Sequence, residues 1–235
     1  MYNITFIIPC GRIPFKIAGQ LTVDSILAVH PNSEIIVTSK EKIDYKNIIY
    51  IKENESNFGA VEPINTMARA ATSDFVCLLN DDFYIKDNLE PIIDEIIKDD
   101  LIGLTLMPKD WAYTGPGNIP SEVRNISLDI ANMPFPIVRK NFIAKHGGLL
   151  YSRFAHHYAD CALAFLLRRV YKQDKLVFDN KQIYAHDLKH NTSLDYYTKK
   201  SKEDYRTYQQ IVFYTDIYSM MDSLKTEDYL KFHEI

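Results

Sequence analysis

Short apolar runs alternate with longer stretches of mixed polarity along most of this chain of 235 residues. Five runs have the length and β-branched content of strands: Ile4–Pro9, Glu34–Thr38, Ile48–Ile51, Phe75–Asn80 and Ile102–Met107. Leu176–Phe178 is a sixth, and Gln182–Tyr184 adds a short edge piece. Runs that are apolar at nearly every position suit a parallel sheet covered on both sides. Between them, apolar residues recur at helical spacing. Phe15–Val29 carries Ile17, Leu21, Ile26 and Leu27 and stops before His30 and Pro31. Pro63–Ala71 has proline in its first turn, where the missing N–H costs nothing. Leu89–Lys98 sets Ile92 and Ile93 against Ile96 and Ile97, and Asp160–Val170 aligns Leu163, Leu166, Leu167 and Val170. Strands alternating with helices predict an α/β fold, a mostly parallel sheet with helices on both faces.

Two stretches break the alternation. Lys109–Pro136 holds Gly115, Pro116, Gly117, Pro120, Pro134 and Pro136 with little periodicity, which predicts a long functional loop. Trp111, the single tryptophan, lies there with Tyr113; it suits either stacking on a sugar or base, or anchoring the loop to the core. Ser201–Leu224 spaces Tyr205, Tyr208, Ile211, Val212, Ile217 and Met221 as an amphipathic helix does. Residues 1–194 therefore read as one domain and 195–235 as a helical C-terminal extension packed on it. Such a helix leaves peripheral membrane contact or dimerisation open.

Composition narrows the classes. The chain is 46% hydrophobic and 25% charged, with a net charge of −4, as in ordinary globular proteins. That balance gives no reason to expect nucleic acid as a partner. No run approaches the roughly 18 apolar residues of a membrane span. The opening run Ile4 to Ile8 lacks the basic flank and cleavage site of a signal peptide. Cys10, Cys77 and Cys161 fit no zinc spacing and read as buried reduced thiols, so a cytoplasmic location is expected.

The candidate chemistry begins where Phe75–Asn80 runs into Asp81 and Asp82. Ligands of open α/β sheets bind beyond the carboxyl ends of the strands. Side chains of consecutive extended residues point to opposite sides, so one carboxylate is expected to face a cation and the other a different part of the same ligand. Neighbouring acids repel unless compensated, and a hard divalent ion with oxygen ligands is the natural partner. A solvated acidic turn is the plainer alternative. Arg12 and Lys16 follow the first strand, where a phosphate or base would lie or where a cation is simply solvated. His156 and His157 read as solvated loop residues.

Further pieces complete a pattern: Ser33–Val37, Asn57-Phe58-Gly59 with Asn65 in the helix that follows, Asp160 ahead of Leu163 and Arg168-Arg169, and Ile183-Tyr184-Ala185-His186. In order and spacing, the stretch from Asn3 to His190 resembles a family 2 glycosyltransferase of the GT-A fold. The resemblance implies metal-dependent, inverting transfer of a sugar from a UDP-, GDP- or dTDP-sugar to a hydroxyl of a glycan, polysaccharide or lipid-linked acceptor. It implies that Asp82 holds Mn²⁺ or Mg²⁺ together with His186, and that Asn80 or Asp81 touches the ribose or sugar. Asp160 matches the general base, and Pro9, Arg12, Asn57, Gly59 and Asn65 fall among the donor-binding positions. The chemistry is compatible: a divalent ion neutralises a diphosphate leaving group, and a positioned carboxylate contributes about 10² to 10⁴-fold as a base. Taken alone, Asp160 reads as an N-cap or first-turn acid stabilised by its helix, and His186 as an ordinary surface or satisfied histidine.

The chain departs from the family pattern in three places. Thr38-Ser39-Lys40 lacks the acid that reads uracil in many relatives, Ala159 replaces the acid usual before the catalytic one, and the acidic motif opens with Asn80. Two other readings remain. Pro9–Lys16 faintly resembles the start of a sugar-nucleotide nucleotidyltransferase, although only Gly11 supplies the glycine such a loop needs. A non-catalytic sugar- or protein-binding module on the same fold is the other.

Overall fold

Strand β1 (Ile4–Pro9) is apolar and buried at every position except the half-buried Pro9, so it can lie only inside a sheet covered on both faces. The computed structural model describes residues 2–11, 14–54, 59–106, 133–155, 159–178, 183–185 and 202–208. It places β1 between β2 (Glu34–Ser39) and β4 (Phe75–Leu78), with β3 (Ile49–Lys52) outside β2, all parallel. The sheet continues through β7 (Pro136–Arg139), antiparallel to β4, to β6 (Gly103–Thr105), antiparallel to β7, in the order β3-β2-β1-β4-β7-β6. Only β7 runs against the others, so the sheet is mostly parallel, as its apolar runs predict.

The described helices up to residue 178 are α1 (Gly19–Val29), α2 (Val61–Ala70), α3 (Glu90–Lys98), α4 (Lys140–His146) and α5 (Ala159–Arg169). Ile8, Val37, Ile92, Ile93 and Ile96 belong to one core cluster, and Ile7, Ile36, Met67, Phe142 and Leu163 to another. The two clusters are the two faces of the sheet. Helix α3 shows why periodicity predicted it: Ile92, Ile93 and Ile96 are fully buried while Ile97 is 43% exposed.

Three elements go beyond the sequence reading. β5 (Phe83–Ile85) pairs antiparallel with β8 (Ile183–Ala185) as a separate ribbon. β7 and α4 occupy the end of the expected loop and the residues after it. Met133 and Phe135 are buried there, so the loop assignment is corrected from residue 133 onward. Trp111 and the rest of that loop lie outside the described residues. The expected strand at Leu176–Phe178 is reduced to a bridge between Val177 and Thr105. The three cysteines are buried and free. Residues 202–208 are helical, with Tyr208 buried in the same cluster as α5. Among the described residues, no helix is long and apolar enough to cross a membrane.

Candidate active site

Parallel strands all present their carboxyl ends to one edge, and five of the six strands do so here. At the centre, Pro9 ends β1 opposite Thr38, and the Cys10 N–H donates to the Thr38 carbonyl at 2.8 Å. On one side, β4 stops at Leu78, and the chain turns at Asn80, where the Phe83 N–H donates back to the Asn80 carbonyl at 3.2 Å. Asp81 and Asp82 are the two middle residues of that turn. This corrects the extended geometry expected for them: pairing on β1 ends before the acids, and Asn and Asp favour turns because their short polar side chains satisfy local backbone groups. Asp81 is buried and Asp82 half-buried. The two acids are therefore presented in different environments by the turn rather than by strand alternation.

On the other side stands an acid the sequence reading missed. Glu53 follows β3, its N–H donates to the Ser39 carbonyl at 2.9 Å, and it is 8% exposed. Burial raises its carboxyl above the usual range, partly offset by the Lys40 ammonium. Cys10 follows β1, which lies between β4 with the acidic turn on one side and β2 and β3 with Glu53 on the other. Burial pushes the Cys10 thiol up, and the charges of Asp81 and Glu53 push it further. Cys10 thus sits between the acidic turn and Glu53. The only sequence signal for Glu53 was its place directly after a parallel strand.

A cleft of about 450 Å³ opens beside Glu53, lined also by Thr38, Ile51 and Lys52 and, across from them, by Pro63 and Thr66 of α2. The Thr38 hydroxyl is buried and has no hydrogen-bond partner among the described residues. An unpaired buried hydroxyl costs free energy unless something meets it.

Asp160 reaches the same edge from α5. It is half-buried in the first turn, where the helix dipole favours the ionised carboxylate. The Met133 N–H donates to its carbonyl at 3.3 Å. Because β7 runs antiparallel to β4, the chain just before it, including Met133, lies toward the edge formed by the carboxyl ends of the parallel strands. The Asp160 backbone is therefore tied to the chain that enters β7 at that edge. Its carboxylate, after burial, also raises the Cys161 thiol. Ala159, which replaces the acid usual at that position, is 1% exposed in the core, where a carboxylate would need its own partner.

Other expected residues fall elsewhere or support the edge indirectly. Asn65 is 1% exposed and turns toward the chain after α4. Its Oδ1 accepts from Leu149 N (2.9 Å) and Leu150 N (2.8 Å), and its Nδ2 donates to the Leu150 carbonyl at 2.8 Å. Gly59 lies so near Ala155 that a Cβ would overlap its carbonyl, and the same carbonyl accepts from Val61 N at 3.2 Å. The Ala155 N–H in turn donates to the buried Asp204 at 2.9 Å, so residues 202–208 brace the chain leading to α5. Arg12, Asn57, His156, His157 and His186 lie outside the described residues. The β5–β8 ladder does place Ala185, which precedes His186, opposite Phe83, which follows Asp82.

The same fold occurs in solved structures. TarS from S. aureus in complex with UDP is 14% identical, with a TM-score of 0.58 over 88% of this chain and 65% of that one. TarS in complex with UDP-GlcNAc is 15% identical, with a TM-score of 0.55 over 96% and 77% of the two chains. The mannosyltransferase PcManGT from Pyrobaculum calidifontis, in complex with GDP-Man and Mn²⁺, is 11% identical, with a TM-score of 0.62 over 99% and 73%. The chain thus spans less than two thirds of the first of these. No curated protein matches the chain. The model of "Glycosyl transferase family 2" matches residues 21–173, well over half of the sequence, and this chain belongs to glycosyl transferase family 2.

Proposed function

We propose that the protein transfers a glycosyl group from a nucleoside-diphosphate sugar to a hydroxyl acceptor, with inversion, at the edge marked by Cys10. The observation that carries this reading is the placement of the acidic turn after β4 and of Glu53 after β3, on either side of Cys10 at the carboxyl edge of a mostly parallel sheet. The bound UDP, UDP-GlcNAc and GDP-Man of the structural relatives support a donor of this class.

The base takes the cleft beside Glu53. A carboxylate accepts from the imide N–H of uracil or the paired N–H groups of guanine, and the Thr38 hydroxyl finds its missing partner on the same ring. The diphosphate then extends past Cys10 toward the turn. Among the described residues, no three His, Cys, Asp or Glu side chains converge into a cage. The turn instead offers one or two carboxylates, the donor set that Mg²⁺ or Mn²⁺ takes when phosphates complete its shell. Asp82 is the ligand in this reading, and His186 a second one. A metal held there supplies Lewis-acid neutralisation of the departing diphosphate.

Asp160 accepts the acceptor hydroxyl's proton as its oxygen bonds to the anomeric carbon. The bond from that carbon to the diphosphate breaks on the opposite side, so configuration inverts. In this scheme Asn65 and Gly59 act by holding the surrounding chain rather than by touching the donor.

Hydrolysis or transfer of UDP- and GDP-sugars with and without chelator tests the scheme. Wild-type turnover should vanish with EDTA, return with Mn²⁺, and be lost in Asp82→Asn. Metal-independent turnover, or an active Asp82→Asn, would overturn it.

A further inference from the structure

Helix α1 does more than cover the sheet. The free edge of β5, on the side away from β8, faces it, and two side chains one helical turn apart act in place of a neighbouring strand. Thr22 is fully buried, and its hydroxyl lies 2.6 Å from the Phe83 carbonyl and 3.0 Å from the Asp81 carbonyl. These carbonyls flank Asp82 on either side. One turn on, the Ser25 hydroxyl donates to the Thr22 carbonyl at 2.7 Å and accepts from the Ile85 N–H at 3.2 Å. The chain from Asp81 to Ile85 is thus fastened at three backbone groups to one rigid helix. A two-stranded ribbon is barely stable alone, so this fastening matters.

We infer that Thr22, seconded by Ser25, is a positioning residue that sets the acidic turn and with it the affinity for the divalent ion. The inference rests on the reading of Asp82 as the ion's ligand. A single hydroxyl hydrogen shared between two carbonyls ties them to one point, fixing the backbone on both sides of Asp82. The Asp82 carboxylate then meets an ion without first ordering its own chain, and preorganisation of this kind is gained as affinity. The catalytic carboxylate is on another helix, so the chemical step with metal bound should be nearly untouched.

The test reads Mn²⁺ binding directly, by loss of the free-ion EPR signal in the presence of UDP or GDP, below the melting temperature of each variant. Thr22→Val keeps the shape and removes the hydroxyl. It should weaken Mn²⁺ binding about tenfold or more, while kcat at saturating Mn²⁺ changes less than about threefold. Thr22→Ser should restore wild-type binding, and Ser25→Ala should give a smaller loss in the same direction. If Thr22→Val lowers the melting temperature but binds Mn²⁺ as the wild type does, the residue is merely structural and the inference falls. Should Thr22→Val not fold, wild-type Mn²⁺ binding by Ser25→Ala overturns the inference in its place. If instead wild-type protein binds no Mn²⁺ with either nucleotide, the assignment of the metal site itself fails, and the inference with it.

Discussion

Replacing Asn65 with alanine separates two roles for one residue. The family resemblance puts Asn65 among the donor-binding positions, whereas its side chain makes three hydrogen bonds to the backbone of Leu149 and Leu150. Both leucines are nearly fully buried, so Asn65→Ala would leave two N–H groups and one carbonyl away from water without partners. Each orphaned group costs about 1–3 kcal/mol, and water entering the vacated space recovers part of that, so the net loss should lie near the lower bound of about 3 kcal/mol. Against a total stability of about 5–15 kcal/mol, that is a large fraction. With a urea m-value of about 2–3 kcal/mol/M, the midpoint should fall by roughly 1 M. Urea unfolding measures this, and nucleotide binding by the still-folded variant at low temperature measures the alternative. Expected are the midpoint shift and a UDP or GDP affinity within about threefold of wild type. An unchanged midpoint with donor affinity reduced tenfold or more would show that Asn65 serves the donor and that the packing argument is wrong.

Three further outcomes follow from the geometry. Burial lowers the His30 imidazole below its ordinary value of 6.5, and its Nε2 accepts the Leu89 N–H, so the folded state favours the neutral ring. The unfolded chain then binds the extra proton first, and stability should fall as pH drops below about 6.5, by at most about 1.4 kcal/mol per pH unit. Urea midpoints between pH 7 and 5 should show a shallower slope in His30→Gln, and an unchanged slope would contradict this. Gly59→Ala should cost about 1–3 kcal/mol by thermal melting, because the new Cβ meets the backbone carbonyl of Ala155; an unshifted melting temperature would refute that close approach. Asp160→Asn should lower kcat at least about 100-fold while UDP or GDP binding stays within threefold, and an equal loss of affinity would remove Asp160 from the base role.

How much was legible depended on the kind of signal each element gives. β1, β2 and α3 were readable to within a residue or so because apolar period and burial coincide there, and β3 was placed as closely from its β-branched run although it is an exposed to half-buried edge strand. α1 begins four residues later than its periodicity suggests, since Phe15 and Ala18 are buried in turns before it. β5, β7 and α4 are three, four and seven residues long, too short for any period to show. β7 also opens on a proline, and its partners lie far off in sequence. The acidic pair was visible at the end of an apolar run, but its turn was not, because Leu79 prolongs that run beyond the last paired residue. Glu53 was hidden for another reason. Its meaning comes from standing beside Ser39 and Cys10, neighbours that only the sheet brings together. The reverse holds for Asn65, whose residue type fits a ligand contact while its packing ties it to the backbone.

The central claim is that the turn carrying Asp81 and Asp82 holds a divalent ion against a nucleoside diphosphate. Crystals soaked with Mn²⁺ and UDP or GDP, read by anomalous diffraction at the manganese edge, test it most directly. The account predicts one strong peak within about 2.5 Å of an Asp82 carboxylate oxygen, with the diphosphate on its other side and the base beside Glu53. An anomalous peak elsewhere, or a nucleotide bound away from the carboxyl ends of β1 and β4, would contradict it.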